Sequence, residues 1–176
     1  MTSAMLLRAL CRFLRQTVDD YAAAQGKEGE YRTPEVYEWY LPFRDGRNQP
    51  NIDFPYIVAR IINGEDPVND SQSPILSTVR IDLSFGVYNE APDDDVIHPD
   101  GAYDLLNLME HVRIALFRQL IIDGRYKIEQ PYKWHIPDEQ PYPLWVGVAQ
   151  SIWTVQRVTP QYKEGFLHGG FEWERE

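Results

Sequence analysis

The chain has 176 residues, 43% hydrophobic and 13% aromatic, with 27 acidic against 17 basic side chains and a formal net charge of −10. That length suits one domain, taken as residues 1–176, able to bury a core without staples, and the single Cys11 excludes an internal disulfide. A negative field opposes phosphate backbones, and no run approaches the roughly 18 apolar residues of a membrane span, so neither nucleic acid nor membrane is expected as a partner.

The first 18 residues, MTSAMLLRALCRFLRQTV, interrupt their apolar stretch with Arg8, Arg12 and Arg15. Those charges break a signal-peptide core. An Arg-rich, acid-free start also resembles an organelle transit peptide, but Asp19 and Asp20 follow directly and the segment reads as a globular helix. We expect it over Ser3–Ala24, with Ser3 as N-cap and Gly26 as the stop. Leu7, Leu10, Leu14, Val18 and Tyr21 form the buried stripe. Arg8, Arg12 and Arg15 line another face, either solvated or a basic rail for an acidic surface.

Residues 26–53 are irregular and aromatic, and Pro34, Pro42 and Pro50 forbid one continuous element. The stretch VYEWYLPF reads as a short strand inside a loop that a partner orders, with Trp39, Tyr40 and Arg44 as candidate contacts. FPYIVARIING is a near-continuous apolar run, expected as a central strand covered on both faces. About a dozen turn-type residues then lead into STVRIDLSFGVYN, which makes an extended hairpin the simplest connection.

That second strand is the cleanest pattern in the chain. Val79, Ile81, Leu83, Phe85 and Val87 alternate with Thr78, Arg80, Asp82, Ser84, Gly86 and Tyr88. One face is for a core. The other, with Arg80 and Asp82, is mixed and available to a partner.

An acidic loop follows, EAPDDDVIHPDG, with Asp93, Asp94 and Asp95 as candidate contacts. Asp100 reads as the N-cap of a second helix through about Ile122, with a stop at Gly124. Leu105, Leu108, Met109, Val112, Leu116 and Leu120 form its stripe. A short strand is expected over Tyr126–Gln130, before Pro131. LWVGVAQSIWTVQRV is a last long strand whose alternation slips near Ala149 and Gln150, as at a bulge or in a strand covered on both sides. Residues 160–176 read as a mobile, aromatic tail. The order gives an α+β single-domain sandwich: a mostly antiparallel sheet with two long helices packed on one face.

The chemistry-bearing patterns are weak. DDDVIHPD lacks the spacing of a calcium loop, and His98, His111, His135 and His168 have no zinc-type spacing. Asp82 lies on a strand with no Glu-x-Lys after it, so a metal-dependent nuclease is disfavoured. Cys11 sits among apolar residues with no evident base. We expect no catalytic residue, no cofactor and no metal, and hence a protein that is not an enzyme.

Four stretches, FPYIVARIINGED, STVRIDLSFGVYN, HPDGAYDLLNLMEHVRIALFRQ and PLWVGVAQSIWTVQRV, carry a family resemblance. From about Phe54 to Val158 the chain resembles the tail terminator and tail-completion proteins of long-tailed, siphovirus-like bacteriophages. The resemblance implies a small α/β sandwich that forms a homo-oligomeric ring, usually a hexamer, on the tail tube. It implies a location at the head-proximal end of the virion tail, and as partners the tail tube protein and the head connector protein. The mixed face of the long strand would then meet a neighbour. The Arg8, Arg12, Arg15 rail and the Asp93–Asp95 loop are one candidate pair of complementary patches. The alternatives are a head-side joining protein, a small acidic inhibitor-type binding module, and an enzyme using the acidic loop and His98.

Overall fold

The computed structural model describes residues 2–24, 32–42, 54–66, 76–90 and 99–156. Among them the chain is α+β, with two helices and a six-stranded, mostly antiparallel sheet. The acidic loop with Asp93, Asp94, Asp95 and His98, the candidate Arg44, the helix stop proposed at Gly26 and the tail 160–176 lie outside the described residues.

Helix α1 spans Ser3–Ala24, as the spacing predicts. Its cap is Thr2 and not Ser3: Thr2 Oγ1 accepts from the Met5 N–H at 3.3 Å. Leu7, Leu10, Leu14 and Val18 are buried, and Leu6, Ala9 and Cys11 widen the stripe. The side chain of Tyr21 lies outside the described residues.

Strand β1 (Glu35–Glu38) falls inside VYEWYLPF and its neighbours. It runs parallel to β2 (Tyr56–Glu65), and β2 pairs antiparallel with β3 (Leu76–Tyr88), the expected hairpin. The sequence reading of β2 as a central strand covered on both faces holds for its first part alone. It lies second from the sheet's edge, and β1 accompanies only Tyr56–Ala59. Ile57, Val58 and Ala59 are all buried, but from Arg60 onward the strand is largely exposed and bulges between Ile61 and Asn63.

Helix α2 spans Asp100–Gln119. Pro99 occupies the N-cap, and Asp100 sits one place inside, where its carboxylate favours the positive end of the dipole. Leu105, Leu108, Met109, Val112 and Leu116 are buried as expected, but Leu120 is not. It takes φ 56° and donates its N–H to Leu116 O at 2.9 Å, so the helix ends there through a left-handed cap. Ile121 and Ile122 therefore become a two-residue strand, β4, and Gly124, at φ 62°, serves the turn into β5 (Tyr126–His135).

Strand β5 runs past Pro131, which sequence had made its end. Glu129 pairs with Ile152 and Lys133 with Gln150, so Gln130, Pro131 and Tyr132 together stand opposite Ser151. A bulge absorbs the proline, which has no N–H for the ladder. Strand β6 (Leu144–Gln156) completes the order β1-β2-β3-β6-β5-β4.

The expected slip in β6 is one of composition and not of backbone. All 13 residues of β3 pair one-to-one with β6 from Leu76↔Gln156 to Tyr88↔Leu144. Gly147, Ala149, Ser151, Trp153 and Val155 alternate inward without a break. The pattern looked broken because a serine points in, while Val146, Val148 and Ile152 point the other way.

One core cluster joins the stripes of α1 and α2 to Ile57, Ala59, Val79, Ile81, Leu83, Phe85, Ala149 and Trp153. Burying each large aliphatic side chain there contributes about 1.5–3 kcal/mol relative to exposure. Gly147 lets Met109 lie against the sheet, since a Cβ there would stand 2.5 Å from its Sδ. His111 Nε2 lies 3.1 Å from Thr17 O and ties α2 to α1.

Ser151 shows why a hydroxyl is tolerated inside. It donates to Ile81 O at 3.1 Å and accepts from the Trp153 indole N–H at 2.9 Å. Ser151→Ala strands that indole donor, and urea denaturation should register a loss of about 1–3 kcal/mol. In a double-mutant cycle with Trp153→Phe the two losses should fall short of additivity by at least about 0.5 kcal/mol; additive losses would show that the bond carries no weight.

Candidate functional site

The inward residues of β2, β3, β5 and β6 belong to the core. Their alternates make a second face on which the strand register sets out rows. Arg60, Asp82, Gln150 and Lys133 form one row, directly opposite one another across four strands. Gln150 Nε2 donates to Asp82 Oδ1 at 3.1 Å. In the next row Arg80 is opposite Ile152, and Ile152 is opposite Glu129. Glu129 takes Lys127 Nζ at 3.0 Å and the Thr154 hydroxyl at 3.1 Å.

The upper end of this face is aromatic. Tyr56 lies over Gly86, where a Cβ would stand 2.3 Å from its ring, and Phe54 stacks at 5.1 Å from Tyr56 and 6.4 Å from Tyr88. A glycine on an otherwise side-chain-bearing strand is thus the seat for a ring from the neighbouring strand. Beyond His135 the Gln140 side chain replaces a strand. Its Oε1 accepts from Val146 N–H at 2.7 Å and its Nε2 donates to Val146 O at 3.2 Å.

Both predicted contacts on β3 therefore lie on this face. Asp82 is held by Gln150, while Arg80 Nε is shielded from solvent with no acceptor among the described residues. The face carries Arg60, Arg80, Lys127 and Lys133 together with Glu35, Glu65, Asp82 and Glu129, so bases and acids balance there in a chain of net −10. Sequence could not find that grouping, because its members come from four strands.

The arginine rail of α1 is less uniform than its spacing suggests. Arg8, Arg12 and Arg15 are all exposed. Arg12 lies 3.9 Å from Asp123, and Arg15 donates to Val36 O at 3.0 Å, which ties α1 to β1. Arg8 has no partner among the described residues. Whether the rail meets Asp93–Asp95 lies outside them.

Trp39 and Tyr40 continue directly from β1. Trp39 has φ 69°, a left-handed conformation uncommon for a bulky residue, and donates its N–H to Ala59 O at 2.9 Å. Trp39 is 41% and Tyr40 72% exposed.

Sequence reasoning missed a cleft between α2 and β5. It has a volume of about 340 Å3 and is lined by Arg113, Phe117, Gln130, Pro131, Tyr132 and Trp134. Tyr132 packs edge-on against Phe117 at 5.8 Å. Its hydroxyl is enclosed without a hydrogen-bond partner among the described residues, and burial pushes the phenol well above its usual range. Arg113 is clamped onto Glu110 by its Nε and a terminal nitrogen.

No group of three or more His, Cys, Asp or Glu side chains suited to a metal occurs among the described residues. No helix among them is long and apolar enough to cross a membrane. No known protein family matches the chain, and no curated protein does.

Cys11 is fully enclosed, and burial pushes its thiol up to about 11, with nearby Glu38 adding to the shift and Arg15 opposing it. The unfolded chain releases this proton first, near the ordinary thiol value, so the native state binds more protons between there and pH 11. The resulting stability is fully present below the unfolded pKa and is lost as pH rises through about 11. Denaturation midpoints should thus fall more steeply above pH 9 in the wild type than in Cys11→Ala; parallel curves would contradict it.

Proposed function

We propose that this protein is a tail terminator or tail-completion subunit of a long-tailed bacteriophage. It assembles as a ring, a hexamer on the tail, ends growth of the tail tube and offers the joining surface to the head connector. Both helices cover one face of the sheet in a two-layer sandwich, and the opposite face meets a neighbouring subunit or the tube. The protein works in the virion by shape and charge, with no bond made or broken and no cofactor.

The observation that carries this reading is the second face of β3 and β6. Two 13-residue strands, paired without a slip, are more than is needed to cover two helices. Their outer residues are neither a plain solvated surface nor a core. Val146, Val148 and Ile152 alternate across the ladder with Arg80, Asp82 and Gln150, and the aromatic group of Phe54, Tyr56 and Tyr88 closes one end. Interfaces that assemble from soluble subunits have this mixed character. The four-stretch resemblance supplies the class of assembly, and the order of elements fits it.

Light scattering of the purified chain over a concentration range should show a discrete multimer, and negative-stain images should show rings. Charge reversal at Arg8 and Arg12 should lower the multimer's share without altering the far-UV spectrum. Asp82→Lys with Gln150→Ala, which inverts the central row, should do so more strongly. A chain that stays monomeric at every concentration, alone and with tail tubes, would remove the proposal.

A further inference from the structure

The strand register brings two exposed tryptophans to opposite edges of the sheet, one residue apart in height. Glu38 stands opposite Ala59, Ala59 opposite Leu83, Leu83 opposite Ala149, and Ala149 opposite Trp134, while Trp39 follows Glu38 with its N–H on Ala59 O. Trp39 therefore lies one residue past the β1 end of the row that Trp134 ends on β5. Trp134 is 46% exposed. The two sites differ in form. At one edge Trp39, Tyr40 and Leu41 stand out from the end of β1 as a short aromatic hook. At the other, Trp134 borders the 340 Å3 cleft that holds the unpartnered Tyr132 hydroxyl.

From this we infer that the hook of one copy, Trp39–Leu41, seats in the Phe117–Tyr132–Trp134 cleft of the next copy, and that this is the contact repeated around the assembly. The occupant is a second copy because hook and cleft lie within one residue of the same height on opposite edges of the sheet and leave opposite charges beside them. Joining them repeats the subunit side by side with a step of about one residue along the strands. Such a contact is heterologous, using two different patches, and this is what a closed ring requires. The inference rests on the ring reading and names its joint.

Charge agrees with the match. At the β1 edge Glu35 is paired with Arg32, which leaves Glu38, whereas on β5 Lys127 is paired with Glu129, which leaves Lys133. Opposite signs on the two edges select this pairing over hook to hook or cleft to cleft. The Tyr132 hydroxyl also finds a use, as a donor to a carbonyl of the incoming hook. A backbone ladder between copies is not the joint. Strand β2 bulges after Ile61, β5 bulges after Glu129, and Pro131 has no N–H to give.

The test is cross-linking of a Tyr40→Cys, Gln130→Cys double variant with a short bis-maleimide; the native Cys11 is buried and stays unmodified. The expected result is a ladder of covalent multimers ending at the ring size, with each single-cysteine variant remaining monomeric. Tyr40→Ser, at an exposed position, should weaken self-association by at least about tenfold with an unchanged far-UV spectrum. A wild type that forms rings while the double variant gives no ladder would overturn the joint and leave the ring reading standing. Dimers from Tyr40→Cys alone would show a hook-to-hook contact and overturn the joint as well. A wild type monomeric throughout, with no ladder, removes both.

Discussion

The uninterrupted pairing of β3 with β6 is the constraint on which the rest depends. Because no residue slips between Leu76 and Tyr88, each side chain on either strand is committed to one face. The inward set anchors both helices. The outward set inherits whatever the inward set does not need, and that is how Arg80, Asp82 and Gln150 come to lie beside one another. Ser151 and Trp153 keep this register self-consistent, since shifting the pairing by one residue would expose Trp153 and bury Gln150.

The outer strands follow different rules. Strand β1 accompanies only four residues of β2, and β4 only two of β5. Beyond those short partners the outer strands bulge, and there the side chains redirect: Tyr132 and Trp134 frame a cleft, and the polypeptide leaves β1 through Trp39. The candidate surfaces thus arise where ladder pairing ends. Regular structure positions them, and irregular backbone aims them.

Much of the fold was legible from periodicity. Both helices, the β2–β3 hairpin, the inward set of β3 and five of the six residues in the α2 stripe follow from spacing alone. What was not legible shares a physical cause. Leu120 ends α2 in a left-handed conformation that sequence assigns to glycine, so the stop expected at Gly124 falls four residues earlier. Pro131 reads as a strand terminator unless the partner strand tolerates a bulge, and that depends on Ser151, twenty residues away. The serine itself disguised an intact alternation. Of the candidate contacts, Arg80 and Asp82 could be placed on one face from the sequence because they share one strand. The Tyr132 cleft was missed because α2 and β5 build it together, and no local pattern marks it.

The bulged outer strands have one more consequence. A sheet with two open borders can add strands from any other chain, and at the concentrations of a producing cell that leads to fibres. Here each border is interrupted after a few residues, by Ile61–Asn63 on one side and by Gln130–Tyr132 on the other. Lys133 and Glu65 place charges just past the interruptions. The chain should therefore resist cross-β aggregation, so that any association it makes falls to side chains that recognise a shape and not to backbone that accepts any strand.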